Sequence, residues 1–194
     1  DCIRQCKPSL VITDSQAIDI LDEWLDIDIS CALTTFSVLM IRELSGNLFP
    51  VVIQGCFNAF SKLKQRVADD IDDETSVQFC VLIAEACNHD RILEGCEDIG
   101  TRLIPKLIRK HVSENISERI ELHVEHAFGR EFPTDLNKFH LVIQCGGCMI
   151  DEQQIHARIL DCIDASVDVT NYGILLSFLK SQHTLHRVLL PFKP

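Results

Sequence analysis

Apolar residues in this chain alternate between short continuous runs and stretches where they recur every three or four positions. The first pattern predicts strands and the second helices. Residues 9–13 form a short β-branched run that predicts a buried strand, and Asp14 or Ser15 can cap a helix reaching Trp24. Residues 31–36 predict a second strand and 37–44 a short helix. Gly46-Asn47 interrupts the chain before residues 49–67, where Val52, Ile53, Cys56, Phe57, Phe60 and Leu63 recur at helical spacing. Residues 77–86 are apolar almost throughout, as a strand covered on both faces must be. Residues 98–111 predict a helix that Pro105 either perturbs or starts. Residues 119–125 alternate like a half-buried strand, and 141–144 predict a core strand ending at Cys145. A helix over 151–164 places Ile155, Ile159 and Ile163 on one face, 167–170 predict a short strand, and 174–190 are mostly helical.

Strands alternating with helices predict an α/β fold: two small layered domains with mostly parallel sheets flanked by helices. The acidic run Asp69-Asp70-Ile71-Asp72-Asp73-Glu74 reads as a solvated linker. It divides the chain into residues 1–75 and 76–194. The first part has few strands and much apolar helix surface, so it is expected to complete its core by dimerising. There is no internal repeat.

The 194 residues, 46% of them apolar, provide for a real core. A net charge of −11 repels phosphate backbones, so nucleic acid is an unsuitable partner. No continuous apolar run reaches membrane-spanning length, so no membrane association is expected. Residues 1–6 lack the basic start and apolar stretch of a signal peptide, and the chain opens on Asp1, as a fragment of a longer protein would. Ten cysteines are many for this length. Cys31, Cys56, Cys80 and Cys162 sit within apolar stretches and read as small core residues in an intracellular reducing compartment, either cytoplasm or an anaerobic organelle.

Two elements carry chemistry. Cys145-Gly146-Gly147-Cys148 lies between a strand and a helix, where two thiols can share one concavity and glycine amides favour negative charge. It could be a dithiol redox pair, half of a zinc site, or two ligands of an iron–sulfur cluster. Cys87-Asn88-His89 follows the strand over 77–86. In a parallel sheet the carboxyl ends of strands share one edge, so Cys87 can approach Cys145 and Cys148. That convergence suits a metal centre of three or four ligands, with His89 as a candidate. There is no phosphate-binding loop, no nucleophile elbow and no His-Glu-x-x-His helix. His123, His126, His183 and His186 read as ordinary polar residues, and Asp98, Asp151 and Asp161 as caps or surface charge.

The series Glu85-Ala86-Cys87-Asn88-His89, Glu97-Asp98-Ile99-Gly100, Gly129-Arg130-Glu131-Phe132-Pro133, Cys145-Gly146-Gly147-Cys148-Met149 and Thr170-Asn171-Tyr172-Gly173 resembles the C-terminal part of HydF, the maturation GTPase and scaffold of [FeFe]-hydrogenases. Lys7-Pro8-Ser9-Leu10, Thr13-Asp14-Ser15-Gln16-Ala17 and Leu33-Thr34-Thr35-Phe36-Ser37 are similar to that family's dimerisation domain. The resemblance implies a dimerisation domain over 1–75 and a cluster-binding domain over 76–194. It implies a [4Fe–4S] cluster on Cys87, Cys145 and Cys148, with the fourth iron position open or held by an exchangeable ligand. Gln144 stands where the family has a second histidine, which leaves His89, then solvent or a carboxylate such as Asp90, for that position. The implied role is non-catalytic: to assemble or carry a transient di-iron precursor, as a homodimer, with apo [FeFe]-hydrogenase and radical-SAM maturases as partners. The family's GTPase domain is not in this chain, so GTP is not expected on it. The alternative is a Cys3His zinc module with a structural or interaction role; a dithiol oxidoreductase using only Cys145 and Cys148 ranks last.

Overall fold

The computed structural model describes residues 5–6, 8–18, 32–70, 75–85, 98–147 and 150–192. Strands β1 (Leu10–Thr13) and β2 (Ala32–Thr35) pair in parallel as a two-stranded sheet. Helix α1 (Phe36–Ser45) follows directly, then a 3-10 turn and the long helix α2 (Phe49–Asp69). The second sheet holds β3 (Val77–Glu85), β4 (Ile120–Phe128), β5 (Leu141–Gln144) and β6 (Asp168–Asn171) in the order β4-β3-β5-β6. All its neighbours are parallel. Helices α3 (Ile104–Asn115) and α4 (Glu152–Asp164) connect β3 to β4 and β5 to β6. Helices α5 (Tyr172–Lys180) and α6 (Gln182–Leu189) follow, divided at Ser181, whose hydroxyl caps α6 by accepting the Thr184 N–H at 3.0 Å, and a 3-10 turn at Leu190–Phe192 ends the described chain. The mixed α/β architecture with parallel sheets is the one the alternating pattern predicts.

Burial explains the patterns read from the chain. β3 lies between β4 and β5, and Val77, Phe79, Val81, Leu82, Ile83 and Ala84 are all buried. β4 is an edge strand and alternates half-buried with exposed positions over most of its length. The helix expected around residue 98 begins as a π turn at Ile99–Leu103, capped by Asp98, and becomes α-helical at Ile104 with Pro105 in its first turn. Proline is tolerated there because the first amides of a helix have no partner to lose. The described residues after β1 form a turn, with the Asp14 carboxylate accepting the Gln16 N–H at 2.8 Å. The rest of the helix expected to reach Trp24 lies outside the described residues.

One expected face differs. In α4, Ile155, Ile159 and Cys162 are buried, whereas Ile163 is exposed. At about 100° per residue, position 163 has rotated roughly 80° from position 155, and position 162 has nearly returned to it.

Residues on both sides of position 75 share one hydrophobic core. α2 lies against β6: the Cys56 thiol donates to Thr170 Oγ1 at 3.1 Å, and Lys62 pairs with Asp168 at 2.8 Å. Phe57, Phe60, Phe178 and His111 form an aromatic cluster linking α2, α5 and α3. The helical stretch Phe36–Asp69 is long and apolar enough to cross a membrane by length and composition. Its buried Val52, Cys56, Phe60 and Leu63 instead form part of the core described here.

Two histidines carry this packing into a pH dependence. His111 is held below the ordinary imidazole range by burial, partly offset by Glu114. His140 is lowered by burial first and then by the charge of Arg66, and its Nδ1 accepts the Cys80 N–H at 2.9 Å. Both shifts make the unfolded chain bind protons more readily than the native state. Stability is therefore expected to fall as pH drops below about 6.5 through the native-state pKa values. Urea melts at pH 7.5 and 5.5 check this, and His111→Gln should reduce the difference between them. An equal difference in that variant removes His111 from the account.

Candidate metal centre at the carboxyl edge of the sheet

The strand register brings three chain exits to one edge. Ala84 of β3 is opposite Gln144 of β5, and Gln144 is opposite Asn171 of β6. The Cys145 N–H extends the ladder, donating to the Ala84 carbonyl at 3.1 Å. β5 therefore ends immediately before Cys145, and β3 ends at Glu85, two positions before Cys87 in the sequence. Cys145 is half-buried. Cys87, His89 and Cys148 lie outside the described residues. Among the described residues no group of three or more His, Cys, Asp or Glu side chains is placed to hold a metal ion.

The turn after Cys145 requires glycine. Gly147 has φ +73°, and a Cβ there would lie 3.2 Å from Leu44 Cδ1 and 3.3 Å from Ile155 Cδ1. The turn is thus packed tightly between α1 and α4, and its left-handed backbone favours glycine. The Asp151 carboxylate then caps α4 by accepting the Gln154 N–H at 2.8 Å.

Two motifs quoted above only for their resemblance prove to be one joint. Asn171 Nδ2 donates to Ser37 Oγ at 2.7 Å, while Asn171 Oδ1 caps α5 by accepting the Ile174 N–H at 3.2 Å. Ser37 Oγ also accepts the Gly173 N–H at 3.3 Å, and Thr35 Oγ1 caps α1 by accepting the Val38 N–H at 3.2 Å. All three polar side chains are buried. The start of α1 is fastened to the start of α5, with Ser37 also lying beside Gly146. Neither motif reveals this pairing alone, because Ser37 and Asn171 lie far apart in the chain.

Three further groups give the edge its polarity. Arg158, on the buried stripe of α4, is 5% exposed. Its Nη2 donates to the Gly129 carbonyl at 2.9 Å, and its Cζ lies 4.9 Å from the centre of the Phe132 ring. Its positive charge acts on the thiols of Cys145 and Cys162, and no described carboxylate lies within ion-pair distance of it. Gln144 is 1% exposed, and neither atom of its carboxamide has a hydrogen-bond partner among the described residues. The Tyr172 hydroxyl and Glu85 Oε1 converge over Gly100, where an added Cβ would overlap both. Burial first, then the negative charge of Glu85, raises the Tyr172 pKa, so the phenol keeps its proton.

Arg158 was the residue to find in the sequence. It stands at i+3 from Ile155, a charge within an apolar stripe, and buried charges need a compensating partner. The remaining thiols belong to the core. Cys56 and Cys162 are fully buried, and burial pushes both up to about 12. The Thr170 hydrogen bond only moderates that rise for Cys56. Neither forms thiolate at neutral pH, the state that binds metal. Asp98 and Asp151 are helix caps, as expected. His126 Nε2 meets the Gly100 carbonyl at 3.3 Å, and His123 lies 3.6 Å from Glu121 on exposed β4 surface.

The class of molecule is thus a parallel α/β domain with a polar, thiol-bearing carboxyl edge, the edge at which such sheets bind ligands. Residues 53–191 match the family model of the hydrogen maturase F tetramerization domain, and the chain belongs to that family. Membership places it in hydrogenase maturation. The matching model is a tetramerisation domain and not a GTPase domain. No curated protein matches the chain.

Proposed function

We propose that this chain is an iron–sulfur cluster scaffold or carrier of [FeFe]-hydrogenase maturation, with a [4Fe–4S] cluster on Cys87, Cys145 and Cys148. The observation that carries the reading is the tie between Cys145 N–H and the Ala84 carbonyl. It joins the exits of β3 and β5, the two strands after which the three cysteines follow in sequence. The described part of the edge also suits an anionic group. It offers a half-buried thiol, a buried guanidinium without a carboxylate partner, and a buried carboxamide without any partner. Buried polar and charged groups of this kind call for a ligand.

When bound, the cluster supplies a labile iron position on which a bridging ligand of the di-iron cargo can be held and released. The chain's own residues prepare that position. The positive-φ turn at Gly147 sets the path of the chain leaving Cys145, and the Ser37–Asn171 joint holds α1 against it. Tyr172 keeps its proton because burial and the charge of Glu85 oppose its loss, and His89 is the first candidate for the exchangeable fourth ligand. The transient cargo would pass from radical-SAM maturases to apo [FeFe]-hydrogenase inside an intracellular reducing compartment, without GTP on this chain.

Self-association belongs to the same proposal. Leu10 and Ile12 of β1 and Phe36 at the start of α1 are exposed, an apolar surface suited to a second copy. The test is anaerobic reconstitution of the whole chain with iron and sulfide, followed by iron analysis, EPR and light scattering. The expected result is about four irons per chain, a reducible cubane signal and a mass above that of the monomer. Zinc alone, or a titratable disulfide without iron uptake, overturns the cluster assignment in favour of a zinc module or a dithiol.

A further inference from the structure

We infer that Arg158 is the counter-charge of the cluster and sets its reduction potential, an inference that rests on the cluster reading above. A charged residue with 5% of its surface exposed requires compensation. Its two visible partners, the Gly129 carbonyl and the Phe132 ring, are neutral. They orient the group and satisfy part of its hydrogen bonding, but no carboxylate among the described residues balances its charge. The anionic partner is supplied by the site itself. Ile155, one turn nearer the start of α4, touches the position of Gly147 within the thiol turn. The charge of Arg158 is felt at Cys145, where that turn begins, in keeping with the lean of helix side chains toward the N-terminus. A cluster held by thiolates is anionic and gains one further negative charge when one electron enters it. A fixed buried cation stabilises the reduced form more than the oxidised form, and so raises the potential.

Three variants of the whole chain, reconstituted anaerobically, separate this role from that of a structural clamp. Arg158→Met removes the charge. Arg158→Lys keeps the charge but loses the planar stack and the fork of donors. Phe132→Leu loses the stack alone. Dithionite is the reductant in an EPR-monitored redox titration. In Arg158→Met the ratio of reduced to oxidised cluster at the wild-type midpoint is expected to fall at least tenfold, a shift of about 59 mV or more to lower potential. Arg158→Lys and Phe132→Leu should stay near the wild-type midpoint, even if both melt at lower temperature. Iron retained by the Lys variant and lost by the Met variant also supports the role. An unchanged midpoint in Arg158→Met overturns it, as does equal iron loss in the Lys and Met variants. Absence of iron from the unsubstituted chain instead overturns the cluster reading, so the two failures are distinct.

Discussion

Gly55→Val is expected to prevent stable folding, and Gly55→Ala to cost about 3 kcal/mol, the upper part of the usual range for overpacking. Alanine in place of a mid-helix glycine ordinarily stabilises by up to about 1 kcal/mol, so the sign here is reversed. A Cβ at Gly55 would lie 2.6 Å from the Val169 carbonyl carbon and 3.0 Å from its amide nitrogen. Both are backbone atoms of β6 and cannot rotate aside. β6 is an outer strand of the sheet, paired among the described residues with β5 alone, and the same approach of α2 supports the Cys56–Thr170 and Lys62–Asp168 contacts. Moving the helix outward would open the core on both sides of Gly55. Gly129→Ala is the comparison: φ there is +66°, and nothing lies within 4 Å of its added Cβ. Its cost is left-handed backbone strain, about 1 kcal/mol. Urea denaturation of the three variants measures the difference. If Gly55→Val melts within 1 kcal/mol of the unsubstituted chain, α2 does not sit on β6 as described.

The same contact shows what could be read along the chain and what could not. The apolar stripe of α2 and the continuous apolar run of β3 were legible because burial imposes a local period on each element. The register that brings the ends of β3, β5 and β6 together was foreseeable only as the general geometry of parallel sheets. Partnerships were not legible. Nothing around Gly55 announces Val169, and nothing around Ser37 announces Asn171. An acidic stretch near 69–74 suggests separate units, yet the helices before it share a core with the sheet after it. Charge density reports local solvation, whereas the core is determined by which distant apolar faces meet. Arg158 lay between these cases: its place in an apolar stripe was visible, but its meaning depended on a thiol from another element.

Cys145→Ala is expected to reduce reconstituted iron from about four per chain to a small residue, while Cys56→Ala and Cys162→Ala retain it. All three substitutions remove one sulfur, so composition alone predicts no difference. Placement does. Cys145 is half-buried at the end of β5, within the field of the Arg158 charge and not sealed in the core. Cys56 and Cys162 have no exposure, and burial raises both to about 12. Their thiols are neutral fillers of the α2–β6 and α4 packing, with Cys56 donating to Thr170 rather than awaiting a metal. The substitution at 145 should also leave the fold intact, because the bond to Ala84 uses the backbone N–H that alanine keeps. Loss of iron with an unchanged urea midpoint would therefore report ligation and not unfolding. Cys6, exposed in the N-terminal segment, is the control for adventitious iron, and Cys6→Ala should have no effect on the cubane signal. Equal iron in the Cys145 and Cys56 variants would mean that the sulfur at the end of β5 holds nothing, and the polar edge would then need another occupant to balance Arg158.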